Sequence, residues 1–288
     1  GPGSDLVIGG DGRDLLYGGD GDDTLDASAG SPETQGVGDY VRPGLGSDTV
    51  LGHAAFFATG EGIDLSYGDL SGIGGVIVTV GADGTGTAVS GSPALVDDSF
   101  TWTHYFEGSQ DGDSFTGSDN PDFEGWAGLA GDDSIDGGGG FDRAIYTFEI
   151  DYGGDAAITV NLTNGAGTVN DGFGDTDTLT DIDGIAGTDG DDTMTASGDA
   201  SVEFEGEGGN DTLASGAGDD RLRGDDGDDS LAGGSGDDTL EGGQGNDTLD
   251  GGANTDAFGG DRAYYRDDPA GVVVDLAAGT ATDGWGDT

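Results

Sequence analysis

The sequence predicts an all-β chain, folded as a right-handed parallel β-roll (a β-helix solenoid) with wider β-ladder inserts. Three observations predict it. A nine-residue period runs through long stretches of the chain. Within each period an Asp and an apolar residue hold fixed places, two apart. Finally, 65 of the 288 residues are Gly and the formal net charge is -53. An ordinary globular domain holds only about 7% Gly.

The period is clearest from Gly206, where the chain reads GEGGNDTLA, SGAGDDRLR, GDDGDDSLA, GGSGDDTLE, GGQGNDTLD, GGANTDAFG. The sixth position is Asp211, Asp220, Asp229, Asp238, Asp247 and Asp256, and the eighth is Leu213, Leu222, Leu231, Leu240, Leu249 and Phe258. Self-similarity of this kind marks stacked repeats. With one extra residue the series extends back through Phe204 to Met194 and Asp192. The same frame opens the chain, where Asp5, Asp14 and Asp23 are paired with Val7, Leu16 and Leu25. A looser block from Gly108 to Ile145 puts Asp113, Asp133 and Asp142 in the key position. Isolated copies occur at Asp48 (PGLGSDTVL) and Asp64 (TGEGIDLSY). Those two lack an in-frame neighbour eighteen residues away and are not assigned a metal. Pro43 and Thr59 replace the first Gly of these copies, and Asn254 replaces the fourth Gly of the last repeat.

Each part of the nonamer has a physical task. Six residues of type GGxGxD cannot form a helix, where Gly is unfavourable, but they turn sharply because Gly visits positive φ freely. The remaining three residues make a short strand whose central apolar side chain points inward. Two nonamers then close one coil of eighteen residues, and residues eighteen apart stack. The aspartates therefore form rows. Two unit charges about 4 Å apart repel by about 4 kcal/mol at an effective dielectric near 20. A solvated acidic face would not need so regular a spacing. A hard dication with six to eight oxygen ligands reverses the sign, and Ca2+ suits irregular oxygen cages better than Mg2+. The candidate ligands are Asp5, Asp14, Asp23, Asp113, Asp133, Asp142, Asp192, Asp211, Asp220, Asp229, Asp238, Asp247 and Asp256.

GGSGDDTLE and GGQGNDTLD resemble the RTX (repeats-in-toxin) nonapeptide GGxGxDxUx. The resemblance covers a third to a half of the chain. It implies a calcium-binding β-roll from a bacterial protein exported by type I secretion, unfolded without calcium and folded outside the cell. The ligand-bearing positions it implies are the sixth-position aspartates named above.

The organisation follows from where the period stops. Residues 1–4 (GPGS) read as a cleavage scar left by expression. Residues 5–63 hold the short N-terminal roll and a connector, 64–107 a first β insert, and 108–142 the degenerate roll. Residues 143–186 form a second insert, 187–260 the main roll, and 261–288 the start of a third insert. The inserts resemble one another: each opens on an aromatic (Tyr67, Tyr146, Tyr264 or Tyr265) and continues into VIVTV, AITVNL or VVVDL. Alternating β-branched runs predict strands, here longer strands in wider coils of the same solenoid. The chain ends inside the third insert, so it is read as a piece of a longer repetitive protein with a poorly capped last coil.

Composition narrows the partners. Sixty Asp and Glu face seven Arg and no Lys, which argues against nucleic acid, whose phosphates need basic neighbours, and against anionic lipid. No apolar run is long enough for a membrane helix. There is no Cys for a disulfide or a thiolate zinc site. His53 and His104 carry no HExxH pattern, and no GxSxG motif is present. With so many acids, a chance carboxylate pair means nothing for glycoside hydrolysis. The chain is therefore expected not to be an enzyme. The expected function is a calcium-binding module that folds outside the cell and supports a larger secreted protein. The alternative is an adhesin or carbohydrate-binding module using Trp102, Trp126, Trp285 and the tyrosines. Candidate partners are calcium ions, an extracellular glycan and other copies of the same repeat.

Overall fold

The computed structural model describes residues 1–28, 38–52, 63–81, 83–91, 95–101, 103–121, 123–154, 157–253 and 260–265, and the backbone of 273–275 and 280–282. The chain divides into two compact units: Gly1–Ile145 with Asp175–Ile182, and Tyr146–Gly174 with Asp183–Thr288.

In the first unit the chain alternates between two sheets. One contains β1 (Leu6–Ile8), the other β2 (Leu15–Asp20), and β3 (Thr24–Asp26) returns to the first. The alternation continues with β4 (Tyr40–Leu45), β5 (Thr49–Leu51) and β6 (Ile63–Ser66). Val7 pairs with Leu25, eighteen residues on, and Leu25 with Val50 across a longer coil. Leu16 pairs with Val41, and Val41 with Leu65. Leu16, Leu25, Val41, Val50 and Leu65 are all buried, so the apolar residues form the expected inward ladders.

The first insert enters this ladder in an unexpected way. Strands β7 (Val76–Val80), β8 (Thr85–Ser90) and β9 (Asp97–Thr101) form an antiparallel meander within one sheet. β9 stacks parallel on β5. β10 (Thr103–Glu107), β12 (Phe123–Ala127) and β14 (Phe141–Ile145) continue the other sheet in parallel. β7 stacks parallel on β11 (Ser114–Thr116), followed by β13 (Ser134–Asp136). The wider-coil expectation is thus corrected: the insert widens the ladder by added antiparallel strands. The reason is local, since Gly84 at φ 73° and its N–H to the Gly81 carbonyl close a tight turn.

The second unit repeats the plan. After a single turn of helix, α1 (Glu149–Tyr152), β15 (Thr159–Thr163) and β16 (Ala166–Asn170) form a hairpin. Asn164 and Gly165 both have positive φ, 50° and 76°, as a two-residue hairpin turn requires. In the first unit β17 (Thr176–Thr180) pairs parallel with β13. In the second, β18 (Gly184–Ala186) opens one sheet and β19 (Thr193–Ser197) pairs parallel with β15 in the other. Then β20 (Glu203–Glu205), β21 (Thr212–Ala214), β22 (Arg221–Asp226), β23 (Ser230–Ala232), β24 (Thr239–Gln244), β25 (Thr248–Asp250) and β26 (Arg262–Tyr264) alternate between the sheets. One column runs Met194, Leu213, Leu231, Leu249, and the other Ile185, Phe204, Leu222, Leu240, Ala263. Full burial of such a side chain contributes about 1.5–3 kcal/mol. The third insert also pairs antiparallel, through β27 (Val273–Asp275) and β28 (Thr280–Thr282).

Candidate calcium sites in the turns

The sixth-position aspartate precedes its strand and folds back across its own turn. A Cβ on Gly224, the first residue of its repeat, would overlap the Asp229 carboxylate. That Gly is therefore a space requirement as much as a turn requirement. The fourth Gly answers both needs: Gly227 has φ 149°, and a Cβ there would strike the Gly209 carbonyl of the coil before.

This placement links the coils. The Asp5 N–H donates to Asp23 Oδ1 at 2.7 Å, Asp23 N–H to Asp48 Oδ1 at 2.7 Å, and Asp48 N–H to Asp98 Oδ1 at 2.8 Å. A second row runs from Asp113 to Asp133 (2.6 Å) and from Asp133 to Asp177 (3.0 Å). In the second unit Asp192 donates to Asp211, Asp211 to Asp229 and Asp229 to Asp247, at 2.7, 2.8 and 2.9 Å. The opposite turns form their own rows: Asp14 donates to Asp39 at 2.9 Å, and Asp220 to Asp238 at 3.0 Å. Asp142 is buried beside Gly137 in β14, where Glu124 is its partner one strand back.

Some site residues differ from the sequence reading. Asp256 and Phe258 lie outside the described residues, and the place next to Asp238 is taken by Asp261, whose Oδ1 accepts the Asp238 N–H at 3.2 Å. Asp48, left out because its neighbours are not eighteen residues away, sits within a row all the same. Asp64 stays outside the rows, because Leu65 and not Ser66 occupies the apolar column, and its carboxylate lies 3.9 Å from Arg13. Asp39, Asp98, Glu124 and Asp177 were missed. Asp39 and Asp177 were legible, since each stands two residues before an inward apolar residue, Val41 and Leu179. Asp98 has the same relation to Phe100, hidden by the insert around it.

The electrostatics of the rows are those of anions short of a counterion. Burial pushes Asp211 up to about 8, with Asp192 and Asp229 adding repulsion. Burial raises Asp113 and Asp98 to about 7 and Asp48 and Asp229 to about 6. Asp192, Asp220 and Asp238 are raised by the same cause. The amide donors oppose the rise without cancelling it.

A calcium ion fits this setting. In Asp23, Asp48, Asp211, Asp229 and Asp238, Oδ1 accepts an amide N–H from the neighbouring turn while Oδ2 is buried with no hydrogen-bond partner. Buried carboxylate oxygens in that state are costly unless an ion meets them. Among the described residues no three Asp, Glu or His side chains converge on one point. A cation would therefore draw on turn carbonyls besides carboxylates, which Ca2+ accepts. Bound there, it supplies the positive charge that the rows lack.

Parallel coils whose turns carry buried acidic rows define a calcium-binding β-roll. Residues 1–31, 127–144, 205–240 and 232–262 match the model of the RTX calcium-binding nonapeptide repeat, so the chain carries RTX repeats, which bind calcium at multiple sites. No curated protein matches the chain. Among the described residues no helix is long and apolar enough to cross a membrane.

Proposed function

We propose that this segment is a calcium-driven folding module, disordered at intracellular calcium and folded outside the cell, that gives structural support to a larger secreted protein. The observation that carries it is the set of buried, unpartnered Oδ2 atoms along the aspartate rows. With -53 formal charges, the chain has no comparable source of compensation within itself. Binding to the folded state alone stabilises it by RT ln(1 + [L]/Kd) per site. Extracellular calcium modules bind at about 0.1–1 mM, so micromolar calcium would leave the rows empty and millimolar calcium would fill them. Type I export of an unfolded chain accords with this. The module is given no catalytic role.

A calcium titration followed by far-ultraviolet circular dichroism tests the proposal. A largely disordered signal in EDTA that converts cooperatively to β-structure supports it. Full β-structure in excess EDTA overturns it. The adhesin or carbohydrate reading has less support: Trp126 is fully buried and stacked on Phe106 at 4.6 Å, while Trp102 and Trp285 lie outside the described residues.

A further inference from the structure

Three row aspartates accept a side-chain hydroxyl, as Glu124 does from Ser118 at 2.8 Å. Oδ2 of Asp98 accepts the hydroxyl of buried Tyr67 at 2.8 Å. At Asp113, Oδ2 accepts the Ser109 N–H at 2.6 Å and Oδ1 the Ser109 hydroxyl at 2.9 Å. Asp192 repeats this with Thr188, at 2.7 and 3.0 Å. The same three aspartates stand where a row meets an insert. Beyond Asp98 the neighbouring strand presents Ala88. Beyond Asp113 comes Val76, whose N–H donates to Asp113 Oδ1. Beyond Asp192 comes Ile158, which does likewise at 2.7 Å. On the insert side, then, no second carboxylate is available to share an ion.

Resting on the calcium reading above, we infer that the rows contain two kinds of aspartate. Those between two acidic turns, including Asp48 outside the matched repeats, take calcium. Those at the insert boundaries, Asp98, Asp113 and Asp192, are closed by a hydroxyl and take none. The chemistry is that of supply: a dication needs oxygens from two turns, and on its insert side a row end has one, so a neutral donor completes the carboxylate there. Ser109 and Thr188 occupy the second position of the turn, where the standard nonamer has Gly. The hydroxyl is thus a sequence mark of a calcium-free turn.

The test counts calcium ions bound to the full chain by native mass spectrometry at saturating calcium, in the wild type and in D48N, D211N, D98N, D113N and D192N. D48N and D211N are expected to bind fewer ions than wild type. The three boundary variants are expected to keep the wild-type number. If a boundary variant loses ions as D211N does, or D48N loses none, the inference is overturned. A wild type that binds no calcium would instead sink the calcium reading itself. Where an Asp→Asn chain fails to reach the wild-type circular dichroism, the matching Y67F, S109A or T188V is counted. An unchanged or increased number supports the inference, and a lost ion overturns it.

Discussion

At the residue scale, the decisive atom is the second oxygen of each row aspartate. Asp229 is 2% exposed; its Oδ1 holds the Asp211 amide and its Oδ2 meets no hydrogen-bond donor. The turn around it leaves no room for change. G224A would drive a Cβ into the Asp229 carboxylate, and a loss of about 1–3 kcal/mol is expected from such a mechanism. The readout is a higher midpoint calcium concentration in a dichroism titration; an unchanged midpoint would show that the turn relaxes freely. Much of the site was legible in the residues themselves, because the Asp–x–Leu spacing fixes both the row and the column. What spacing could not show is coil length. Asp23 and Asp48 are adjacent in a row although 25 residues separate them, and Asp261 replaces Asp256 because the last coil is longer than eighteen residues.

At the element scale, the three-residue strands are too short to hold alone, and their stability comes from stacking. Leu231 lies between Leu213 and Leu249 in one column and is 1% exposed. L231A is expected to lose about 2–5 kcal/mol, measured by urea unfolding in saturating calcium. A change under about 1 kcal/mol would mean that the column is not the core. The hairpins behave differently. Asn164–Gly165 closes the β15–β16 hairpin, and G165V places a β-branched residue at φ 76°, a strained position. Its effect is expected in amide exchange within β15 and β16, with the number of bound calcium ions unchanged; a loss of ions would tie the hairpin to the metal rows. The inserts were legible as strands from their alternation, but alternation is the same for parallel and antiparallel neighbours, so pairing had to come from the turns. Charge also settles locally: Arg223 approaches Glu205 at 3.5 Å, Asp225 at 3.8 Å and Glu241 at 4.0 Å, partly buried contacts at the long end of ion-pair distance.

At the scale of the whole molecule, protons and calcium compete for the same carboxylates. Burial raises Asp211 to about 8 and Asp98 and Asp113 to about 7, whereas an unfolded Asp titrates at about 4. Between those values the folded, metal-free chain binds more protons than the unfolded one. The resulting stability is fully present below the unfolded value and is lost as pH rises through the folded ones. In EDTA, more β-structure is expected at pH 4 than at pH 8, and the calcium midpoint is expected to rise as pH falls from 8 to 6. Stability that grows with pH in EDTA would contradict this. The most direct measurement of the central claim is an anomalous difference map from crystals grown in saturating calcium. Peaks are expected between adjacent turns, within bonding distance of Oδ2 of Asp211 and of Asp229. A well-ordered map with no anomalous density beside those two oxygens would contradict the account.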